Sequence, residues 1–258
     1  MPVTYLILFV STLLLISVTY VFAVQQVNNR QQSLRVVSAQ QDMTSLDNNI
    51  LSLVSQSGAA SSMDFRDSGG QLNIEPSANN LTLTISDNAS FTETVFNAAT
   101  GQAIYNLAPS ESANIGLYLQ GDSATITNQS GASLSQLYIN SSLQGPRIQL
   151  GYRPEVTYAC AGTENGQAVT DIRIYLINLN SSSAFSLGGE LPLKISCLST
   201  QLTSDTYQFS YQIQRLQVTS NLNGFTGSVF VPTASTVSGA LVNVQVVICN
   251  IAVQEGTQ

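Results

Sequence analysis

Residues 3–24 read VTYLILFVSTLLLISVTYVFAV, a run without a single charge. About 20 apolar residues rising roughly 1.5 Å each cross the hydrocarbon core of a bilayer, so the run has the length of a transmembrane helix. Ser11, Thr12, Ser17 and Thr19 fit this reading, because a hydroxyl in a helix bonds back to a carbonyl one turn earlier. A cleaved secretory signal is the competing reading. It would show a basic start, an apolar core of about 7–15 residues and a small-residue cleavage site. Here the core is longer and nothing basic precedes it. A retained anchor over residues 1–24 is therefore expected.

The helix does not stop at the membrane. After Val24 no glycine or proline occurs until Gly58, so nothing interrupts the helix for over thirty residues. Apolar residues recur at Val27, Leu34, Val37, Met43, Leu46, Ile50, Leu53 and Val54. Most steps are three, four or seven, which predicts one packing stripe along an amphipathic extension over 25–60, interrupted at Gln40 and Gln41. Gly58, Ala59 and Ala60 supply the stop, with Gly58 suited to a left-handed cap. From Tyr5 to Gln56 such a helix would be on the order of 75–80 Å long. Its second half is expected to pack on the chain's own carboxyl-terminal domain, while its first half lies in a membrane or a filament core.

From residue 63 the period changes from helical to two. Alternating segments are 81–86, 123–128, 136–140, 147–152, 155–160, 171–179, 191–197, 207–218, 227–231 and 241–253. Turn residues punctuate them at Ser68-Gly69-Gly70, Asn165-Gly166, Gly188-Gly189 and Asn223-Gly224. Strands at this spacing predict an antiparallel β-sandwich over 61–258. The fold class expected is α+β: a long transmembrane and amphipathic helix followed by a sandwich-type ectodomain. Asn165-Gly166 is the best tight hairpin, since both residues accept positive φ. Gly69–Ile74 and Gly188–Leu193 share a Gly-Gly-x-Leu pattern, read as hairpin entry rather than duplication.

Only 9% of the 258 residues are charged and 43% are hydrophobic, with no histidine, no tryptophan and a net charge of −7. Sustained alternation at this apolar content excludes a disordered chain. Seven arginines and the single Lys194 form no basic run, which argues against a nucleic-acid partner. A surface of Ser, Thr, Asn and Gln responds weakly to salt and pH, so acid tolerance of the outer domain is expected.

Catalytic arrangements are largely excluded. Without histidine there is no Ser-His-Asp or Cys-His set, and Lys194 lacks a Ser-x-x-Lys motif and sits mid-strand. Asp64, Arg66 and Asp67 read as a solvated loop, and Asp87 to Glu93 lacks the ligand rhythm of a calcium loop. Three scattered cysteines without histidine do not make a zinc site. No enzyme activity, cofactor or metal is expected. Outside the cell a disulfide is expected. Cys160, Cys197 and Cys249 allow three pairings, of which Cys160–Cys197 is the one expected.

Orientation carries a conflict. Arg30 and Arg35 follow the apolar run, which taken alone would place the β-domain in the cytoplasm. Five N-glycosylation sequons, at Asn80, Asn88, Asn128, Asn140 and Asn180, together with the cysteines, point outward. The expected location is a single-pass cell membrane protein with an extracellular β-domain.

An apolar helix, its amphipathic extension and a β-domain resemble the plan of archaeal type IV pilin-like surface proteins. The resemblance rests on Leu53 followed by Gly58-Ala59-Ala60-Ser61-Ser62, a strand, then Ser68-Gly69-Gly70-Gln71-Leu72. Gly151-Tyr152-Arg153-Pro154, Glu164-Asn165-Gly166, Tyr175-Leu176-Ile177-Asn178-Leu179 and Gly188-Gly189 come next, in that order. The family's short basic leader and its glutamate near the mature amino terminus have no counterpart beside Met1-Pro2. The resemblance implies self-assembly through the helix. The residues by themselves imply an anchored structural or interaction protein binding other cell-surface components. Membrane, protein partners and further copies of the chain are the partners expected.

Overall fold

A computed structural model describes residues 2–87, 89–109, 111, 113–128, 133–236 and 239–256, with the side chains of Pro2, Thr4 and Leu6 left aside. Helix α1 runs without a break over Pro2–Leu53, about 78 Å at 1.5 Å per residue. It ends three residues before the expected Gln56. Gly58 is left-handed, with φ 85°. It lies beyond the helix's own cap and turns the chain into the first strand, its N–H donating to the Cys197 carbonyl at 2.8 Å.

Thirteen strands come after the helix among the described residues: β1 (Ala60–Phe65), β2 (Gln71–Ser86), β3 (Thr92–Asn106), β4 (Tyr118–Gln120), β5 (Ser135–Ser142), β6 (Gly145–Tyr152), β7 (Glu155–Glu164), β8 (Gln167–Asn178), β9 (Phe185–Gly188), β10 (Leu191–Phe209), β11 (Arg215–Leu222), β12 (Phe225–Pro232) and β13 (Ala240–Glu255). They form two curled sheets. One has the order β1-β10-β13-β8-β7 and the other β12-β11-β2-β3-β6-β5-β4, with β9 on β2. The sandwich is antiparallel except at its centre, where β13 and β8 pair in parallel from Ala240↔Ala168 to Asn250↔Asn178.

The long strands β2, β10 and β13 pass through two successive cores. The helix-side core joins Met43, Leu46, Ile50 and Leu53 of α1 to Phe65, Leu72, Leu137, Ile148, Leu193, Ile195 and Ile251. The far core is all β, from Leu81, Leu83 and Ile85 to Ile172, Ile174, Leu216, Val218, Val242 and Val244. A bulge lies along each long pairing, between Glu75 and Asn79 on β2–β3 and between Cys197 and Ser199 on β10–β13. Bulges add local twist, which lets a strand of this length serve both cores.

Asn165-Gly166 closes the β7–β8 hairpin with φ 52° and 81°, and Asn223-Gly224 closes β11–β12 with φ 52° and 89°. Both are two-residue loops whose handedness matches strand twist. Two of the expected segments do not form single strands. Segment 123–128 forms no named strand; Thr127 makes a single bridge to Glu155. The run 207–218 is two strands, β10 ending at Phe209 and β11 starting at Arg215.

Candidate functional site

The chemistry of this protein is concentrated on α1. Between Ile7 and Val24 every side chain is exposed and nothing in the protein covers it. By length and composition this is the one helix among the described residues able to cross a membrane. Its polar side chains turn inward on the helix itself: Thr12 Oγ1 donates to the Leu8 carbonyl at 2.8 Å and Thr19 Oγ1 to the Leu15 carbonyl at 2.7 Å. A hydroxyl satisfied in this way costs little in hydrocarbon.

Burial against the β-domain begins at Val36. Buried positions then recur at Val36, Ala39, Met43, Leu46, Ile50 and Leu53, in steps of three and four that keep one face toward the core. The single stripe expected from Val27 to Leu53 is in fact two faces. Val27, Leu34 and Val37 are exposed, Leu34 at 68%. The step from Val37 to Met43 is six residues, or roughly 240° at 3.6 residues per turn, so the stripe crosses to the far side of the helix there.

Polar groups lock the docked half in place. Asp42, buried on α1, accepts from Arg66 Nε at 2.9 Å and Nη2 at 2.7 Å, so Arg66 is no mere loop residue. Asp47 is fully buried, and its Oδ1 accepts from the Tyr152 hydroxyl at 2.8 Å. Among the described residues its Oδ2 accepts no hydrogen bond. Burial pushes the Asp47 carboxyl above its usual range, while the nearby Ser135 and Tyr152 hydroxyls pull the other way. Burial, reinforced by the charge of Asp47, drives the Tyr152 phenol well above its usual value.

The Gly151-Tyr152-Arg153-Pro154 segment thus has a structural role at each polar group. Arg153, 2% exposed, pairs with Asp122 and donates to the Ser133 and Ala124 carbonyls, each at 3.1 Å. The Pro154 carbonyl accepts from the Thr127 N–H at 3.0 Å. Sequence reasoning missed Asp42 and Asp47. Acidic residues inside an otherwise apolar helical face were the available signal.

The expected Cys160–Cys197 pair is not brought together. Cys160 is exposed on β7, whereas Cys197 and Cys249 are buried with their sulfurs 3.4 Å apart. Of the sequons, Asn80, Asn128 and Asn180 are exposed and Asn140 is half-buried on β5; Asn88 lies outside the described residues. Lys194 points outward, as expected of a mid-strand lysine.

Asp87 caps a tight loop. Burial alone would raise its pKa, but hydrogen bonds from Tyr211 and the Phe91, Ala89 and Ser90 N–H groups prevail and hold it well below the usual carboxylate range.

The outer face of the five-stranded sheet carries an open groove of about 630 Å³ lined by Tyr158, Asp171, Arg173, Ser204, Asn243 and Gln245. Its side chains bond across strands in two ladders. Arg173 donates to Gln245 Oε1 through Nε at 3.0 Å and Nη2 at 2.9 Å. Thr206 donates to Asn243, which donates to Asp171, both at 2.9 Å. The groove is open, and these hydrogen bonds tie its polar side chains across the strands. No group of three or more potential metal ligands occurs among the described residues. No family model, curated protein or solved structure matches this chain.

Proposed function

We propose that this protein is a membrane-anchored display protein, its β-domain extracellular and bound to other components of the cell surface. The observation that carries this reading is the division of α1. Residues 7–24 are apolar and uncovered, while 36–53 are built into the helix-side core. Uncovered apolar surface of this extent is stable only in lipid or against other protein. The outward groove supplies a contact face that includes hydroxyl, amide, carboxylate and guanidinium groups, to which a surface partner could bond.

A second reading is favoured by a separate observation. Val27, Leu34 and Val37 lie past the membrane-length segment and are left exposed by the protein's own β-domain. A plain anchor gives them no partner. A pilin-like subunit packing its helices in a filament core would cover them with neighbouring copies.

Gentle shearing of source cells, with detection of the chain in shed filaments and in washed membranes, separates the two. Release from membranes only by detergent supports the anchor. Recovery in sheared filaments with residues 3–24 intact supports the filament subunit. Release into the medium without detergent, filament or residues 3–24 would defeat both.

A further inference from the structure

We propose that Cys197 and Cys249 are joined by a disulfide in the mature protein, stapling β13 to the strand that receives the end of α1. The two residues are 52 positions apart in sequence, on neighbouring antiparallel strands, and both face the helix-side core. Cys197 pairs with Ile251 and Cys249 with Thr200, so the cysteines are diagonal neighbours. Diagonal positions in a regular sheet stand roughly 7–8 Å apart, too far for sulfur contact. The bulge at Leu198 removes that obstacle. It adds one residue to β10 between Cys197 and Ser199, and there the two sulfurs lie 3.4 Å apart. A bulge at this one place in a 19-residue strand is what such a cross-link needs. A disulfide sulfur pair lies at about 2.05 Å, so the two sulfurs, already in contact, have to draw closer to form the bond.

The position gives the bond a mechanical role. The Cys197 carbonyl accepts from the Gly58 N–H at 2.8 Å and its N–H donates to the Ala59 carbonyl at 2.9 Å. Cys197 is therefore the residue to which the chain leaving α1 is tied. Linking it to Cys249 passes any pull on the helix directly into β13 at the centre of the sheet.

Formation proceeds by ordinary thiol–disulfide exchange. One cysteine thiolate attacks the disulfide of an oxidoreductase, forming a mixed disulfide and releasing one of the oxidoreductase's two sulfurs as a thiol. The second cysteine thiolate then displaces the other sulfur. In balance, the two cysteines lose two protons and two electrons, and the donor disulfide becomes two thiols. Burial pushes the Cys249 thiol up to about 12, which leaves little thiolate in the closed core. The exchange therefore belongs to the folding protein, before β10 and β13 close over the sulfurs, and the finished bond is shielded from reductants. Cys160, exposed on β7, stands apart from this pair.

The test uses full-length protein in membranes from source cells, alkylated with iodoacetamide and mapped by mass spectrometry. Native protein and protein in guanidinium without reductant should both leave Cys197 and Cys249 unmodified. A peptide joining the two, lighter by two hydrogens than its parts, should be recovered, and reductant with guanidinium should expose both to alkylation. Alkylation of Cys197 and Cys249 in guanidinium without reductant would overturn the proposal. Recovery of either cysteine linked to Cys160 instead would also overturn it.

Discussion

The two halves of α1 are one continuous helix with opposite environments. Residues 7–24 present apolar side chains on every face and bury none of them, whereas 36–53 bury one face and expose the rest. The first half carries no charge on any face and is long and apolar enough to cross a membrane. The second is amphipathic because it meets one sheet pair. Between them Val27, Leu34 and Val37 form a short exposed apolar face. An unbroken helix here carries two separate packing problems, only one of which its own chain solves.

Breaking the first half should have the largest effect. Leu14→Asp places a carboxylate near the middle of the apolar run, a cost of about 2.5–3.5 kcal/mol for membrane insertion. The protein should be lost from detergent-extractable membranes and from any filament, while thermal unfolding of the β-domain is unchanged. A coupled loss of both would mean that the two halves are not independent.

Breaking the second half should invert that pattern. Ile50→Ala leaves a void among fully buried residues of the helix-side core and should lower unfolding stability by about 2–5 kcal/mol, read from the denaturant midpoint in detergent. Membrane retention should be unaffected.

The middle face sharpens the choice between the two functional readings. Leu34→Asp touches an exposed residue and should change stability by less than about 0.5 kcal/mol. Filament yield should fall if neighbouring copies cover this face, and membrane retention should persist. Wild-type filament yield from this variant would remove the filament reading's distinguishing support.

The smallest effect concerns pH. Asp47 has a raised folded-state pKa, so its contribution to stability is fully present below the unfolded-state value and is lost as pH rises through the folded one. Asp47→Asn keeps an oxygen to accept from Tyr152 and removes the cost of a buried charge. Its advantage over the natural protein should be least in acid and grow toward neutral pH, measured as the difference in denaturant midpoints. The same sign favours an acid-tolerant β-domain. Collapse of its circular dichroism between neutral pH and about pH 3 would contradict that; Asp87 and Asp122, whose pKa values are lowered, work in the other direction and lose their contribution as pH falls.

Legibility in the sequence tracked the range of the interaction. The helix and both Asn-Gly hairpins were readable because composition, period and turn chemistry act within a few residues. β3 escaped because Ala98, Ala99 and Gly101 are poor strand formers and residues 100–105 are buried without alternation. Segment 123–128 misled because it alternates, yet offers its backbone to Pro154 and Val156 rather than to a full ladder. The expected cysteine pair failed for a related reason, since the strand spacing gives no hint of the bulge at Leu198 that brings Cys197 to Cys249.

Sequence alone was enough for an apolar helix of membrane length, its amphipathic continuation and a β-rich domain with its main turns. Those features depend on neighbouring residues and on the fixed geometry of the backbone. Tertiary packing decided which face of α1 is buried, that β8 and β13 run parallel, and that Asp47 meets Tyr152. Each of these joins positions far apart in the chain, and only the closing of both sheets around one core selects among the partners the local pattern allows.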